Sequence, residues 1–398
     1  MNANLEKLQA YPFERLADLL AGVRGNAEFP HIALSIGEPK HAPPEFVINL
    51  LSDPDRLRAG LGAYPATRGI PELREAISGW LARRYGVRLD PDNQVLPVAG
   101  TREALFSFGL AALSGKADAR VLMPNPFYQI YEGAALLGNG VPHYVNCDRA
   151  NDYQPDFAGV PDSVWSACEV VYLCSPGNPT GETIPEDTVL WLLEQADRHD
   201  FVVAADECYS EIYLDDSHPP AGLLEIAHRA GRDDYARCVA FHSLSKRSSL
   251  PGLRSGFVAG DAAILAGYFK YRTYEGCALP LHVQQASAAA WSDEAHVEAN
   301  RALYRRKFET VGRVLDPHLD LRTPAGGFYH WLHIGEDDTA FARQLFEQCN
   351  LTVLPGSFLG RAGGGSNPGG GHVRVAWVAS EAQCVEAAER LAGWLQNR

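Results

Sequence analysis

The sequence predicts an α/β protein in which a mostly parallel sheet is layered between helices, joined to a smaller α+β domain. Three observations carry that expectation. Short apolar, β-branched runs alternate with helix-length segments through the middle of the chain, as a parallel sheet covered on both faces requires. Each run ends in a polar or Gly/Pro turn. After about residue 285 the pattern becomes helix-rich and then sheet-like.

The expected strands, in order, are ARVLMPNP (119–126), EVVYLCSPGNP (169–179), FVVAADECY (201–209), RCVAFHSLSK (237–246) and RSGFVAG (254–260), with EDTVLWLLEQADRHD (186–200) as a helix between two of them. Beyond them, a long helical stretch from Gln284 to Leu315 precedes two further strand patterns, GGFYHWLHI and HVRVAWV. The expected division is a large domain over 46–285 and a small one made of 1–45 and 286–398. The one low-complexity piece, GRAGGGSNPGGGH (360–372), reads as a flexible loop directly ahead of Arg374.

Composition narrows the function. Of the 398 residues, 46% are hydrophobic and 21% charged, the balance of a folded globular chain, and the length suits two domains. A net charge of −14 repels nucleic acid and anionic lipid, so an anionic substrate needs its own local cations. The eight cysteines form no C-x-x-C pair and no metal-ligand spacing, and they read as buried thiols in a reducing compartment. No metal site is expected. The N-terminus lacks a signal-like core and no apolar run reaches about 18 residues, which points to a cytoplasmic protein.

Ligands of such sheets gather beyond the carboxyl ends of the strands, so the polar strand ends are the candidate site. Lys246 follows an apolar strand among Ser243, Ser245 and Ser248 and precedes Arg254. Burial and a neighbouring cation both lower an ammonium pKa, and an amine freed of its proton can form a Schiff base. Hydroxyls and a guanidinium around it make a phosphate cage. An amine nucleophile beside a phosphate site suggests pyridoxal phosphate (PLP).

Other strand ends fit that cofactor. Asp206, in an apolar segment, would be costly unpaired and can be kept by a pyridinium nitrogen. Tyr209, three residues on, and Asn178, in SPGNPTG, can both meet the phenolic oxygen of the cofactor ring. Gly100 and Thr101 precede an apolar-periodic helix, with Thr101 as the expected N-cap, so its free N–H groups and dipole form a phosphate seat. No G-x-G-x-x-G or P-loop pattern is present, which disfavours a nucleotide-dependent dehydrogenase.

The order of these parts resembles the class I/II aminotransferases, PLP enzymes of fold type I. Nine segments match along nearly the whole chain: Gly37-Glu38-Pro39, YPATRGIPELREAI (64–77), GTREAL, PNPFYQIYE (124–132), SPGNPTG, DECY, SLSK, GLRSGF (252–257) and Arg374. The resemblance implies that Lys246 holds PLP and shuttles the proton of transamination. Asp206 would pair with the ring nitrogen, Asn178 and Tyr209 with the phenolic oxygen, and Tyr128 would stack on the ring. Gly100, Thr101, Arg102, Ser243, Ser245 and Arg254 would surround the phosphate. Tyr64 would reach the phosphate of a neighbouring subunit, which implies a homodimer with shared sites. Arg374, helped by Asn178 and the backbone at Gly37, would grip the substrate α-carboxylate.

Within that family, LEKLQAYPFERLADLLAGV, IALSIGEPKHAPPEFV and VLPGSFLGR (353–361) are similar to the N-succinyldiaminopimelate aminotransferases of lysine biosynthesis. The implied reaction is ping-pong transfer between L-glutamate and N-succinyl-2-amino-6-oxopimelate. Such substrates need a second cation, for which Lys40, Arg102 and Arg272 are candidates. Residues 37–40, 271–287 and the glycine-rich loop are expected to shape the pocket for the long chain. An aminotransferase for N-acyl-ornithine or general amino acids, and a carbon–sulfur lyase on the same scaffold, share the cofactor motifs and remain alternatives. A transcription-regulator half would need a basic DNA-binding segment, which this acidic chain does not show.

Overall fold

The structure, a computed structural model, describes residues 1–363 and 365–397. Its strands, in chain order, are β1 (Ile32–Ala33), β2 (Val95–Val98), β3 (Arg120–Asn125), β4 (Val141–Asn146), β5 (Cys168–Cys174), β6 (Val202–Asp206), β7 (Cys238–Ser243), β8 (Gly256–Gly260), β9 (Tyr329–His333), β10 (Leu351–Thr352), β11 (Leu354–Pro355) and β12 (His372–Ala376).

Seven of them form one sheet in the order β2-β8-β7-β6-β5-β3-β4. Only β8 runs against its neighbours, so the carboxyl ends of β2, β3, β5, β6 and β7 and the amino end of β8 all lie along one edge. Gly256 is paired with both Val98 and Ser243, which brings Gly100, Lys246 and Arg254 together. β2 and β4 were not expected from the sequence. Each carries a proline, Pro97 or Pro142, that weakens a strand pattern, and both occupy sheet edges, where a missing N–H is tolerated.

The strands are buried on both faces, and successive residues feed opposite cores. On β5, Val171 and Leu173 pack into one core with Leu81, Leu192 and Ala286, whereas Val170 and Tyr172 pack into the other with Leu105, Phe108 and Tyr131. The first core lies under the helices Pro71–Tyr85, Glu186–His199 and Leu281–Ser292, the second under Thr101–Ala112, Gln129–Leu137 and Ala262–Glu275. The result is the three-layer α/β arrangement of fold-type I enzymes.

A third core surrounds the antiparallel sheet β11-β12-β9, where Leu332, Val373 and Val375 meet the helices Ala295–Leu315, Asp338–Cys349 and Glu381–Gln396. β1 pairs in parallel with β10, and Ile32 and Leu34 enter the same core. The helix Leu281–Ser292 crosses the division at 285, with Ala286, Ala290 and Trp291 in the first core.

Two expected details differ. The strand expected from Arg254 begins at Gly256, because Arg254 adopts φ +53° at the end of a short turn. The glycine-rich stretch 360–372, which includes Gly364 outside the described residues, is anchored at its start. Arg361 is buried, its guanidinium pairs with Glu132 at 2.6 Å, and its N–H donates to Asn125 Oδ1 at 2.9 Å. Composition showed the glycines but not that ion pair. All eight cysteines are free thiols, six of them buried. Among the described residues no helix is long and apolar enough to cross a membrane.

Candidate active site

A cavity of about 580 Å³ opens at the edge where the strand ends converge. Its lining includes Gly37, Thr101, Arg102, Tyr128, Asn178, Asp206, Tyr209, Ser243, Ser245, Lys246, Arg254 and Arg374. Gly100 borders it, because a Cβ built there would lie 2.2 Å from Arg254 Nη2. Of the residues singled out in the sequence for the site, Tyr64 stands apart, fully exposed on the surface of the single chain.

Lys246 sits in the short helix Leu244–Arg247 that follows β7, with Ser243 as its N-cap. Its Nζ donates to the Gly37 carbonyl at 2.7 Å. Burial lowers the Lys246 pKa to about 8, and Arg374 and Arg254 push it the same way while Cys208 and Glu38 oppose them. The shift brings the neutral amine, the state a nucleophile needs, closer to physiological pH.

Asp206 ends β6. Its Oδ2 accepts from the Tyr131 hydroxyl at 2.7 Å and its Oδ1 from the Cys208 N–H at 3.3 Å. Burial nevertheless raises its pKa, with those hydrogen bonds only partly offsetting the cost. A carboxylate so placed, facing a cavity, calls for a cationic partner.

At the next strand end, Thr101 is the first residue of its helix and Gly100, at φ +91°, is the N-cap, so the expected Thr101 cap is replaced. The Thr101 hydroxyl instead lies 3.0 Å from Cys208 Sγ. Only a residue without Cβ leaves room for the Arg254 guanidinium beside this helix terminus. Arg254 spends one N–H on the Pro251 carbonyl.

Arg374, on β12, is 4% exposed. It donates from Nη1 to Asn178 Oδ1 and from Nη2 to the Ser35 carbonyl, both at 2.8 Å, and its guanidinium lies 4.4 Å from the Tyr329 ring centre. Among the described residues its buried Nε has no partner. A fixed, desolvated guanidinium with donors in reserve is suited to a carboxylate.

Of the three candidates for a second cation, only Arg102 lines the cavity, its guanidinium 5.3 Å from the Tyr11 ring centre. Lys40 is exposed elsewhere. Arg272 is excluded: its side chain is fully buried and bound to Glu103 and the Cys277 carbonyl at 2.9 and 2.7 Å. Gly37 and Glu38 do shape the pocket, but none of residues 271–287 and none of the described residues of 360–372 lines it in this chain. Leu354 and Leu359 do so instead.

The sequence reading missed Tyr11, Cys208 and Tyr329, which line the cavity, and Tyr131 behind Asp206. Tyr131 had a signal, since it lies three residues after Tyr128 and so on the same helical side. Tyr329 had none, as it read only as one residue of an apolar strand.

Comparison with known proteins decides the family. The model of aminotransferase class I and II matches residues 30–391. The chain belongs to this family. As an aminotransferase it is similar over its length to solved relatives. An aminotransferase from Neisseria meningitidis shares 45% identity at a TM-score of 0.95, over 99% of this chain and 100% of that one. Aminotransferase AspB from Helicobacter pylori shares 33% at 0.90, over 98% and 100%. Among curated relatives, LL-diaminopimelate aminotransferases from Nitratidesulfovibrio vulgaris and Desulforudis audaxviator are each 29% identical. The first match covers 91% of this chain and 90% of the relative, the second 98% and 97%.

Aminotransferases of this class depend on PLP, and the residues present fit it. The cradle left by Gly100 and the hydroxyls of Ser243 and Ser245 suit a phosphate, the buried Asp206 carboxylate suits a protonated ring nitrogen, and the Lys246 amine suits the aldehyde.

Proposed function

We propose that this aminotransferase moves the amino group of L-glutamate to a keto acid of diaminopimelate formation, with N-succinyl-2-amino-6-oxopimelate as the acceptor. The observation that carries a second substrate carboxylate is Arg102, a cavity cation that makes no ion pair with an acid among the described residues, in addition to Arg374. A second reading, with LL-diaminopimelate itself as the amino donor, is favoured by the names of the curated relatives. Both substrate types carry the distal carboxylate that Arg102 would meet.

When bound, PLP supplies an electron sink for the bonds at the substrate Cα. Lys246 would hold it through Nζ and, once released by substrate, carry the proton between the substrate Cα and the cofactor C4′. Asp206 would keep the ring nitrogen protonated. The Asn178 Oδ1 is already engaged by Arg374, which leaves its NH₂ to donate, with the Tyr209 hydroxyl, to the phenolic oxygen. Tyr128 would cover the ring face and exclude water. The N–H groups of Thr101 and Arg102 would join Ser243, Ser245 and Arg254 around the phosphate, while the Arg102 side chain turns to the distal carboxylate. Arg374 and the Gly37 backbone would orient the α-carboxylate.

Tyr64, Leu61 and Tyr274 are strongly exposed large side chains, which supports a homodimer in which Tyr64 of the partner subunit closes the phosphate site. We further place the division between large and small domains near 46 and 285, and the protein in the cytoplasm.

The test is a spectral half-reaction with purified holoenzyme. Succinyldiaminopimelate and glutamate should each bleach the cofactor band stoichiometrically, with recovery on adding the keto acid. LL-diaminopimelate bleaching faster than the succinylated compound would select the second reading. Preference for acetylornithine or succinylornithine, or release of homocysteine and pyruvate from cystathionine without bleaching, would reject both.

A further inference from the structure

Tyr329 touches three groups of the proposed site without having been marked by the sequence. It begins β9, is 2% exposed, and pairs in register with Ala376, so it shares a sheet face with Arg374 two residues away. Its hydroxyl lies 2.9 Å from the Tyr209 hydroxyl. A Cβ on Gly37 would lie 1.9 Å from that same oxygen, so the Gly37 backbone closes over it. The Arg374 guanidinium rests 4.4 Å from its ring centre.

Two hydroxyls at this separation share one proton between them, and one must donate to the other. If Tyr209 is to aim its proton into the cavity, the Tyr329 proton must supply the link. The Tyr329 hydroxyl is shut in against the Gly37 backbone, and among the described residues the Tyr209 hydroxyl is its hydrogen-bond partner. Receiving a hydrogen bond also polarises the Tyr209 O–H and makes it a stronger donor. The ring meanwhile offers its electron-rich face to Arg374.

We infer that Tyr329 is a positioning residue with two separable parts: its hydroxyl directs the Tyr209 proton toward the cofactor's phenolic oxygen, and its ring holds Arg374 in place for the substrate carboxylate. This inference depends on the placement of that oxygen at Tyr209 proposed above. The other titratable and charged groups facing the two hydroxyls are Arg374, Lys246, Cys174 and Tyr11.

The experiment compares holoenzymes of Tyr329→Phe, Tyr329→Leu and Tyr209→Phe by the pH midpoint of cofactor absorbance and by steady-state kinetics. A weaker donor leaves more negative charge on the phenolic oxygen, so the proton held beside it persists to higher pH. Tyr329→Phe should raise the midpoint by about half to one pH unit, less than Tyr209→Phe, and leave the KM for glutamate within about twofold. Tyr329→Leu should add a several-fold rise in that KM. The phenylalanine variant keeps the ring volume, and stoichiometric cofactor binding verifies its folding. A midpoint unchanged in Tyr329→Phe but moved in Tyr209→Phe would overturn the inference and leave the site reading intact. Equal KM changes in the Phe and Leu variants would overturn the role of the ring. No movement in either tyrosine-to-phenylalanine variant would overturn the placement at Tyr209 and this inference with it.

Discussion

The Lys246 ammonium donates a 2.7 Å hydrogen bond to the carbonyl of Gly37, linking the end of the central sheet to the segment that leads from β1 across the cavity. Cys208 and Glu38 also favour the cation, yet burial still lowers the lysine pKa to about 8.

A pH dependence of apoenzyme stability follows. Between about pH 8 and the ordinary lysine value of 10.5, the unfolded chain holds a proton on this side chain that the folded chain has released, so stability rises with pH through that window. Lys246→Met should flatten the rise and stabilise the apoenzyme at pH 7 by up to about 3 kcal/mol. Denaturant titrations of the two apoproteins at several pH values measure it.

Arg374→Lys keeps a charge but loses the planar fork that reaches Asn178 and the Ser35 carbonyl together. The kcat/KM for glutamate should fall about 100-fold, a loss of about 3 kcal/mol, with most of the loss in KM. Initial-rate kinetics with glutamate and a second amino donor check this.

Asp206→Asn preserves an acceptor for the Tyr131 hydroxyl but removes the charge that would hold the ring nitrogen protonated. Turnover should drop by at least about 100-fold while PLP still binds, since a buried charge pair is worth about 3 kcal/mol or more. Single-turnover absorbance separates the chemical step from binding.

Much of this site was legible in the sequence because it is local. Strand ends of a parallel sheet fall on one edge, and SLSK, DECY and SPGNPTG each place a polar group directly after an apolar run. The cation roles of Arg102 and Arg272 were not separable, because what distinguishes them is the partner: Glu103 takes Arg272 into the interior, 169 positions away in the chain. Tyr329 and the anchoring of Arg361 by Glu132 were invisible for the same reason. Both arise where β9 and the loop after β11 fold back against the large sheet, and no period or spacing encodes those meetings.

The proposed shared-site dimer has a direct mixing test. Lys246→Ala and Tyr64→Ala homodimers should each be impaired, and dissociating and reassociating an equal mixture should restore roughly a quarter of normal activity, since half the dimers then contain one intact site. No gain on mixing would show that Tyr64 serves only its own chain or neither.

Sodium borohydride reduction of the holoenzyme, followed by proteolysis and mass spectrometry of the peptide spanning Leu244–Arg254, tests the assignment on which all these roles depend. The expected result is a stoichiometric phosphopyridoxyl adduct on Lys246 and nowhere else. An unmodified Lys246, or an adduct on a different lysine, would contradict it.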